Sequence, residues 1–106
     1  MKKSELLQAI IVAVSAETEV TSKAILSKSR KEEVVDARHI VVRMLADHEL
    51  YPSQIAELLG VTTRGITLIL NEFNMRIKTR RLVGINYELA KKKLGMNYLA
   101  DESERQ

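Results

Sequence analysis

The fold of this chain is decided by residues 53–70, which read SQIAELLGVTTRGITLIL. The first part predicts a short helix whose apolar face includes Ile55 and the small Ala56, which lets a second helix cross closely. Gly60 stands where the chain must turn, and glycine enters the left-handed backbone region at little steric cost. Thr62 is a candidate N-cap for the next helix. Together these features predict a helix-turn-helix.

The helix after Thr62 is expected to have one apolar face and one polar face. Arginine can bind guanine through two hydrogen bonds, asparagine can do the same with adenine, and threonine offers a hydroxyl and a methyl group to base edges. The pattern therefore predicts a recognition helix for the major groove of double-stranded DNA, with an ordinary helical hairpin as the alternative. The polar face carries Thr63, Arg64, Thr67 and Asn71. The apolar face comprises Ile66, Ile69, Leu70, Phe73 and Ile77.

The composition favours a single all-α domain. The chain has 106 residues, no cysteine, four glycines and one proline. A chain of this length can bury a core without disulfides or metal ions, and the lack of cysteine excludes both disulfides and zinc fingers. Few aromatic and turn residues argue against an all-β domain. We expect a compact bundle of about six helices over residues 1–98 and a disordered tail over residues 99–106.

The distribution of charge is more informative than its total. The formal net charge is +3, which many proteins carry without touching nucleic acid. Between Arg64 and Lys93, however, eight basic residues accompany only two acidic ones. Such a run is usually a solvated face, but beside a helix-turn-helix it is a candidate surface for phosphates. The individual roles of the basic residues within 76–81 and 91–93 stay open at this point.

The first residues imitate a secretory signal, with two lysines, an apolar run and small residues after it. Glu5 interrupts the opening of the run, and the run is too short to span a bilayer. We therefore interpret it as a buried first helix with Ile10, Ala13 and Val14 on its inner face, and we expect a cytoplasmic protein. The run would also suit an interface with a partner.

Between that helix and the helix-turn-helix, the sequence predicts a brief turn capped by Thr21, a basic loop and a longer helix. Ser29 and Glu32 have the spacing of a capping box at the start of the longer helix. Pro52 ends it, and Ser53 is the expected cap of the next one. The apolar residues expected on its inner face are Val34, Ala37, Val41, Met44 and Leu45.

After the recognition helix, residues 82–84, Leu-Val-Gly, predict a turn. A final short helix is expected to follow and to stop at Gly95. His39 and His48 have no group of potential ligands near them in sequence, so we interpret them as surface or packing residues and expect no metal and no cofactor. No catalytic constellation is present at motif spacing, and we expect no enzymatic activity.

The order of these parts resembles the C-terminal DNA-binding domain of the bacterial replication initiator DnaA, whose helix-turn-helix is similar to that of the Trp repressor. The resemblance covers residues 10–94, most of the chain. It implies an all-α fold that binds DNA. Its specific portions are LSKSR at 26–30, VVDARHI at 34–40, LA at 45–46 and IAELLG at 55–60.

The resemblance also implies individual contacts. It places Arg30 of the basic loop in a minor groove, and it places Arg38 and His39 where the family contacts phosphates. Where the family carries Asp-His-Thr-Thr, residues 63–66 of this chain read TRGI, so the initiator's own target site is not expected here. Gly65 in this turn indicates a close approach of DNA or of another helix, or a tolerated frayed helix start.

The sequence thus predicts a protein that binds double-stranded DNA in replication or transcription control. It contains no Gly-rich phosphate loop of the ATPase type. The alternative is a helical protein-interaction module of a regulatory or mobile-element protein. We expect no membrane and no small-molecule substrate as partners, and the oligomeric state stays open. The predicted DNA-contacting residues are Lys28, Arg30, Lys31, Arg38, His39, Thr62, Thr63, Arg64, Thr67 and Asn71.

Overall fold

Six α-helices build the fold in the computed structural model, which describes the backbone of residues 2–105 and the side chains of residues 2–95. No strand occurs within that backbone. The all-α bundle that the sequence predicts is therefore confirmed. The helices are α1 Lys3–Thr18, α2 Ser22–Ile25, α3 Glu32–Asp47, α4 Pro52–Leu59, α5 Thr63–Thr79 and α6 Arg81–Arg105.

Helix α3 forms the centre of the bundle and packs against every other helix. Its Ile40, Val41 and Leu45 are fully buried, as are Ile10 and Val14 of α1, which lies across it. Burying one such side chain contributes about 1.5–3 kcal/mol. All five residues predicted for the inner face of this helix are buried, and so are the three predicted for the first helix.

The helix-turn-helix is formed by α4 and α5, and its turn has the predicted geometry. Gly60 ends α4 with a φ of 67°, in the left-handed region. Thr62 caps α5, because its Oγ1 accepts a hydrogen bond of 3.1 Å from the backbone N–H of Gly65. Ala56 is buried where the two helices pack together. These residues fix how α5 is presented.

The start of α3 differs from the prediction. The helix begins at Glu32 with Lys31 at the N-cap, and no side chain caps it. The hydroxyl of Ser29 accepts instead from the backbone N–H of Lys31, at 3.3 Å, within the loop. The predicted capping box is therefore wrong, and Glu32 is engaged elsewhere, in an ion pair with Arg80.

The start of α4 also differs, by one residue. Pro52 is the first helical residue, which suits proline because that position needs no backbone N–H. Tyr51 is the N-cap, and its backbone N–H donates to Oε1 of Gln54 at 2.8 Å. The predicted cap, Ser53, lies inside the helix.

Helix α6 is longer than predicted at both ends. The break after α5 is limited to Arg80, so residues 82–84 are helical and the predicted turn is wrong. A Cβ atom on Gly84 would lie 2.9 Å from Cγ2 of Ile77, so the glycine permits the close approach of α5 and α6. Gly95 does not stop the helix, which continues to Arg105 across the predicted tail. Side chains in that tail lie outside the described residues, and the domain boundary stays a prediction.

An ion network ties the start of α3 to the end of α5. Asp36, which is buried, lies 2.6 Å from Nη1 of Arg76 and 2.6 Å from Nη2 of Arg80. Arg80 also pairs with Glu32 at 2.6 Å. Because one carboxylate accepts from two guanidinium groups, it holds α5 against the central helix at the end remote from the turn.

Replacing Asp36 with asparagine is expected to lower the free energy of unfolding by about 2–4 kcal/mol, because two arginines lose their shared carboxylate. Urea denaturation measures the change. The control is Glu17→Gln, which removes a 3.7 Å pair with Lys93 and should cost less than about 1 kcal/mol. Equal effects of the two substitutions would contradict the role of the network.

Candidate nucleic-acid interface

The first turns of α5 present polar side chains to solvent. The helix turns its buried side, with Ile66 and Phe73, toward the core, and Ile69, Leu70 and Ile77 are partly buried against it. The two-faced character predicted from the sequence is therefore confirmed. The opposite side extends over about two turns of the helix. The predicted residues exposed on it are Thr63, Arg64, Thr67 and Asn71, and Leu68, which is 49% exposed, lies among them.

Two hydroxyl groups on this side have defined roles. The Thr62 hydroxyl accepts from Gly65, which leaves its O–H able to donate outward. The Thr67 hydroxyl donates to the carbonyl oxygen of Thr63 at 3.1 Å, which leaves its methyl group and lone pairs for a ligand. A Cβ atom on Gly65 would lie 3.2 Å from Oγ1 of Thr62, a tight contact that glycine avoids. It accommodates the cap, and no second helix approaches it within 4 Å among the described residues.

Arg38 holds the loop between α2 and α3 in one conformation. Its Nε donates to the carbonyl oxygen of Ile25 at 3.0 Å, and its Nη1 and Nη2 donate to the carbonyl oxygens of Ser29 and Ser27 at 3.2 and 2.6 Å. Partial burial lowers the pKa of Arg38, although an arginine stays charged. These three bonds give Arg38 a structural role in the loop, and its phosphate contact stays a prediction.

The loop that Arg38 organises carries three exposed cations. Lys28, Arg30 and Lys31 all lie at the surface. No acidic side chain among residues 2–95 forms an ion pair with any of them. Their charge is therefore available to a ligand, as the sequence analysis requires of residues that contact DNA.

The loop and α5 meet at one groove. A cavity of about 250 Å³ has residues 25–28 of the loop side as one wall and residues 59–61 of the turn as another. Gly65, Ile66 and Ile69 of α5 also line it. Lys28 therefore lies across a single groove from the first turn of α5, and Arg30 and Lys31 follow it in the same loop. The sequence alone did not show this proximity.

His39 does not reach the surface. It is 8% exposed, and its Nδ1 has no hydrogen-bond partner. Burial and the nearby charge of Arg76 lower its pKa to about 4, so the ring is neutral at pH 7. A buried neutral ring is unsuited to binding phosphate. The contact implied by the family resemblance is therefore wrong for His39, and its interpretation as a packing residue fits the structure.

The basic residues toward the C-terminus are not one continuous free surface. Arg76 and Arg80 are engaged by the acids of α3, and Lys93 pairs with Glu17 of α1 at 3.7 Å. Sequence reasoning missed this because the arginines and their acidic partners are about forty residues apart, as in the pair of Arg76 with Asp36, forty positions away. The uncompensated cations beside the turn are those of the loop and Arg64.

No protein-family model matches the chain, and no curated protein matches it either. None of the described helices combines the length and apolar character required to cross a bilayer. The relation to the replication-initiator domain therefore stays a prediction from the residues that carry the resemblance.

Replacing Arg38 with lysine is expected to lower the free energy of unfolding by about 1–3 kcal/mol, because an ammonium group cannot hold three carbonyl oxygens in a fork. Amide hydrogen exchange should quicken in residues 25–31. Arg43→Lys is the matched control on the same helix. Arg43 makes a partly exposed pair with Asp47 at 3.2 Å, worth less than about 1 kcal/mol. Unchanged exchange in the loop would contradict the role of Arg38.

The buried His39 predicts a dependence of stability on pH. Its pKa is about 4 in the folded chain and 6.5 ordinarily, so the unfolded chain binds more protons between those values. Above pH 6.5, protonation of His39 therefore does not lower the free energy of unfolding. As the pH drops from 6.5 to 4, it lowers that free energy by up to about 3 kcal/mol. In His39→Leu this loss is absent, because leucine does not titrate. Parallel pH profiles of the two proteins in urea denaturation would contradict the assignment.

Proposed function

We propose that this protein binds double-stranded DNA in a sequence-dependent manner through the helix-turn-helix and the neighbouring loop. One observation carries the proposal: Lys28 of the cationic loop lines the same groove as Gly65 and Ile66 in the first turn of α5, the helix that exposes the polar face. A helix of this kind fits the major groove, and a flanking cationic loop fits the adjacent phosphates. The resemblance to the DnaA domain supports the same arrangement.

The exposed side of α5 supplies the base contacts. Arg64 has the chemistry to grip guanine, and Asn71 has the chemistry to grip adenine. Thr67, whose O–H is engaged within the helix, offers its methyl group to thymine or its oxygen to a base donor. Thr63, at the first position of the helix, contacts either a base edge or the backbone.

The loop and the cap of α5 supply the backbone contacts. Lys28 and Lys31 neutralise phosphates, and Arg30 enters the neighbouring minor groove as the resemblance implies. The Thr62 hydroxyl donates to a phosphate at the start of α5, where the helix dipole also favours an anion. Arg38 contributes by keeping the loop in position.

We propose a binding function without catalysis, in the control of replication or transcription in the cytoplasm. The second candidate is a helical module that binds another protein. Leu26 and Val61, 51% and 49% exposed at the edges of the apolar groove, favour that candidate because an apolar segment could cover them. The salt dependence of binding separates the two, since several phosphate contacts make affinity for duplex DNA fall steeply with salt.

Sites selected from random duplex DNA identify the target, and paired substitutions test the division of labour. Arg64→Ala should cost about 1–3 kcal/mol on the selected site and relax preference at one base pair. Lys28→Ala should weaken all duplexes alike and reduce the slope of log K against log salt by about 1. Fluorescence anisotropy over a range of salt concentrations measures both effects.

Two controls accompany this test. Lys92→Ala removes an exposed cation from α6 and should leave affinity and slope as in the wild type. Arg38→Ala should weaken binding to all duplexes, because the loop that carries the phosphate-contacting cations is no longer held in place. Equal effects of Arg64→Ala and Lys28→Ala on every duplex would refute the assigned roles. No binding to any duplex at low salt would overturn the proposal and favour a protein partner.

A further inference from the structure

Helix α6 carries two apolar faces, and only one of them is covered. Val83, Tyr87, Ala90 and Leu94 are buried against the bundle. A second stripe lies roughly 140° around the helix axis from the first. This outer stripe consists of Leu82, Ile85 and Leu89, which are 65%, 47% and 44% exposed. Exposed aliphatic residues at helical spacing on one helix mark an interaction surface.

A groove runs along one side of the outer stripe. It has a volume of about 520 Å³ and lies between the end of α5, at Ile77, and the first turns of α6. Ile85 and Leu89 form part of its lining, and Gly84 has no side chain to fill it. Leu82 does not line the groove and stands beside it as a ridge. One molecule thus displays both a ridge and a groove.

In two copies related by a two-fold rotation, the charged residues beside the outer stripe would face residues of opposite charge. Arg81 and Glu88 are seven residues apart, on the same side of α6, and both are exposed. When two copies of α6 pair antiparallel with Leu82 of one level with the gap between Ile85 and Leu89 of the other, Arg81 of each copy stands opposite Glu88 of the other. The intramolecular neighbour of Glu88 is Lys91, at 3.7 Å in an exposed pair that contributes little.

We propose that a second copy of this chain covers the outer stripe and forms a two-fold antiparallel dimer through α6. Leu82 of each copy enters the groove of the other beside Ile85, and Arg81 pairs with Glu88 at both ends of the contact. An isologous interface requires a self-complementary patch of this kind, with ridge, groove and opposite charges on one surface.

The dimer surface is separate from the candidate DNA interface. Ile77, at the groove, lies about 21 Å along α5 from Thr63. The proposal therefore does not rest on DNA binding and is tested without DNA. The patch is smaller than a standard stable interface, so dimerisation is expected to depend on concentration.

Sedimentation of the full chain at increasing concentration tests the proposal. The wild type should shift from the mass of one chain toward twice that mass. Leu82→Asp should abolish the shift. Leu26→Asp, which places the same charge at an exposed leucine on another surface, should leave it unchanged. A wild type that stays monomeric up to millimolar concentration overturns the proposal, and so does an equal loss in both variants.

Charge reversal tests the register. Arg81→Glu alone and Glu88→Arg alone place like charges opposite each other at both contacts, so each variant should be monomeric at concentrations where the wild type dimerises. An equimolar mixture of the two variants places opposite charges at both contacts and should restore the dimer. Circular dichroism confirms that each variant is folded. Single variants that dimerise like the wild type, or a mixture that stays monomeric, overturn the proposed pairing.

Discussion

The burial of α3 is the constraint on which the rest of the structure depends. This helix packs against all the others, and its inner residues are among the most buried of the chain. Both elements of the candidate interface are attached to it: the loop enters it directly, and α5 is fastened to it by Asp36. The relative position of the loop and α5 is therefore set by a packed core.

The arginines of this molecule fall into two groups, those engaged with groups of the same chain and those exposed to solvent. Arg38, Arg76 and Arg80 direct their guanidinium groups at carbonyl oxygens or carboxylates of the same chain. Arg30 and Arg64 are exposed. A planar group with several donors can bind acceptors of its own chain or of a ligand, so residue type alone does not separate the two groups. Burial and hydrogen-bond partners do separate them.

Local patterns in the sequence were sufficient for the helix-turn-helix. The positive φ of Gly60, the Thr62 cap and the inner residues of α3 follow from steric and periodic rules that act within a few residues, and all are confirmed. The predicted cap failed at Ser29, whose hydroxyl accepts a hydrogen bond within the loop and does not cap α3. Other predictions failed where a residue distant in sequence determined the local structure. Gly84 indicated a turn in sequence, but it lies within α6, and its missing side chain leaves space for Ile77 of α5.

The sequence predicted which residue types the candidate site contains, but it did not predict how their side chains are buried and oriented. The exposed face of α5 follows from helical periodicity, whereas the burial of His39 and the inward direction of Arg38 depend on tertiary packing. The family resemblance assigned roles by position along the chain, and position alone does not give the surroundings of a side chain.

Neutralisation of Arg76 and Arg80 by Asp36 and Glu32 removes two positive charges from the far end of α5. Two other basic residues there, at positions 78 and 81, stay exposed without an ion pair among the described side chains. The local field at that end is therefore weaker than a count of its cations suggests, and an approaching anion is attracted to it less strongly.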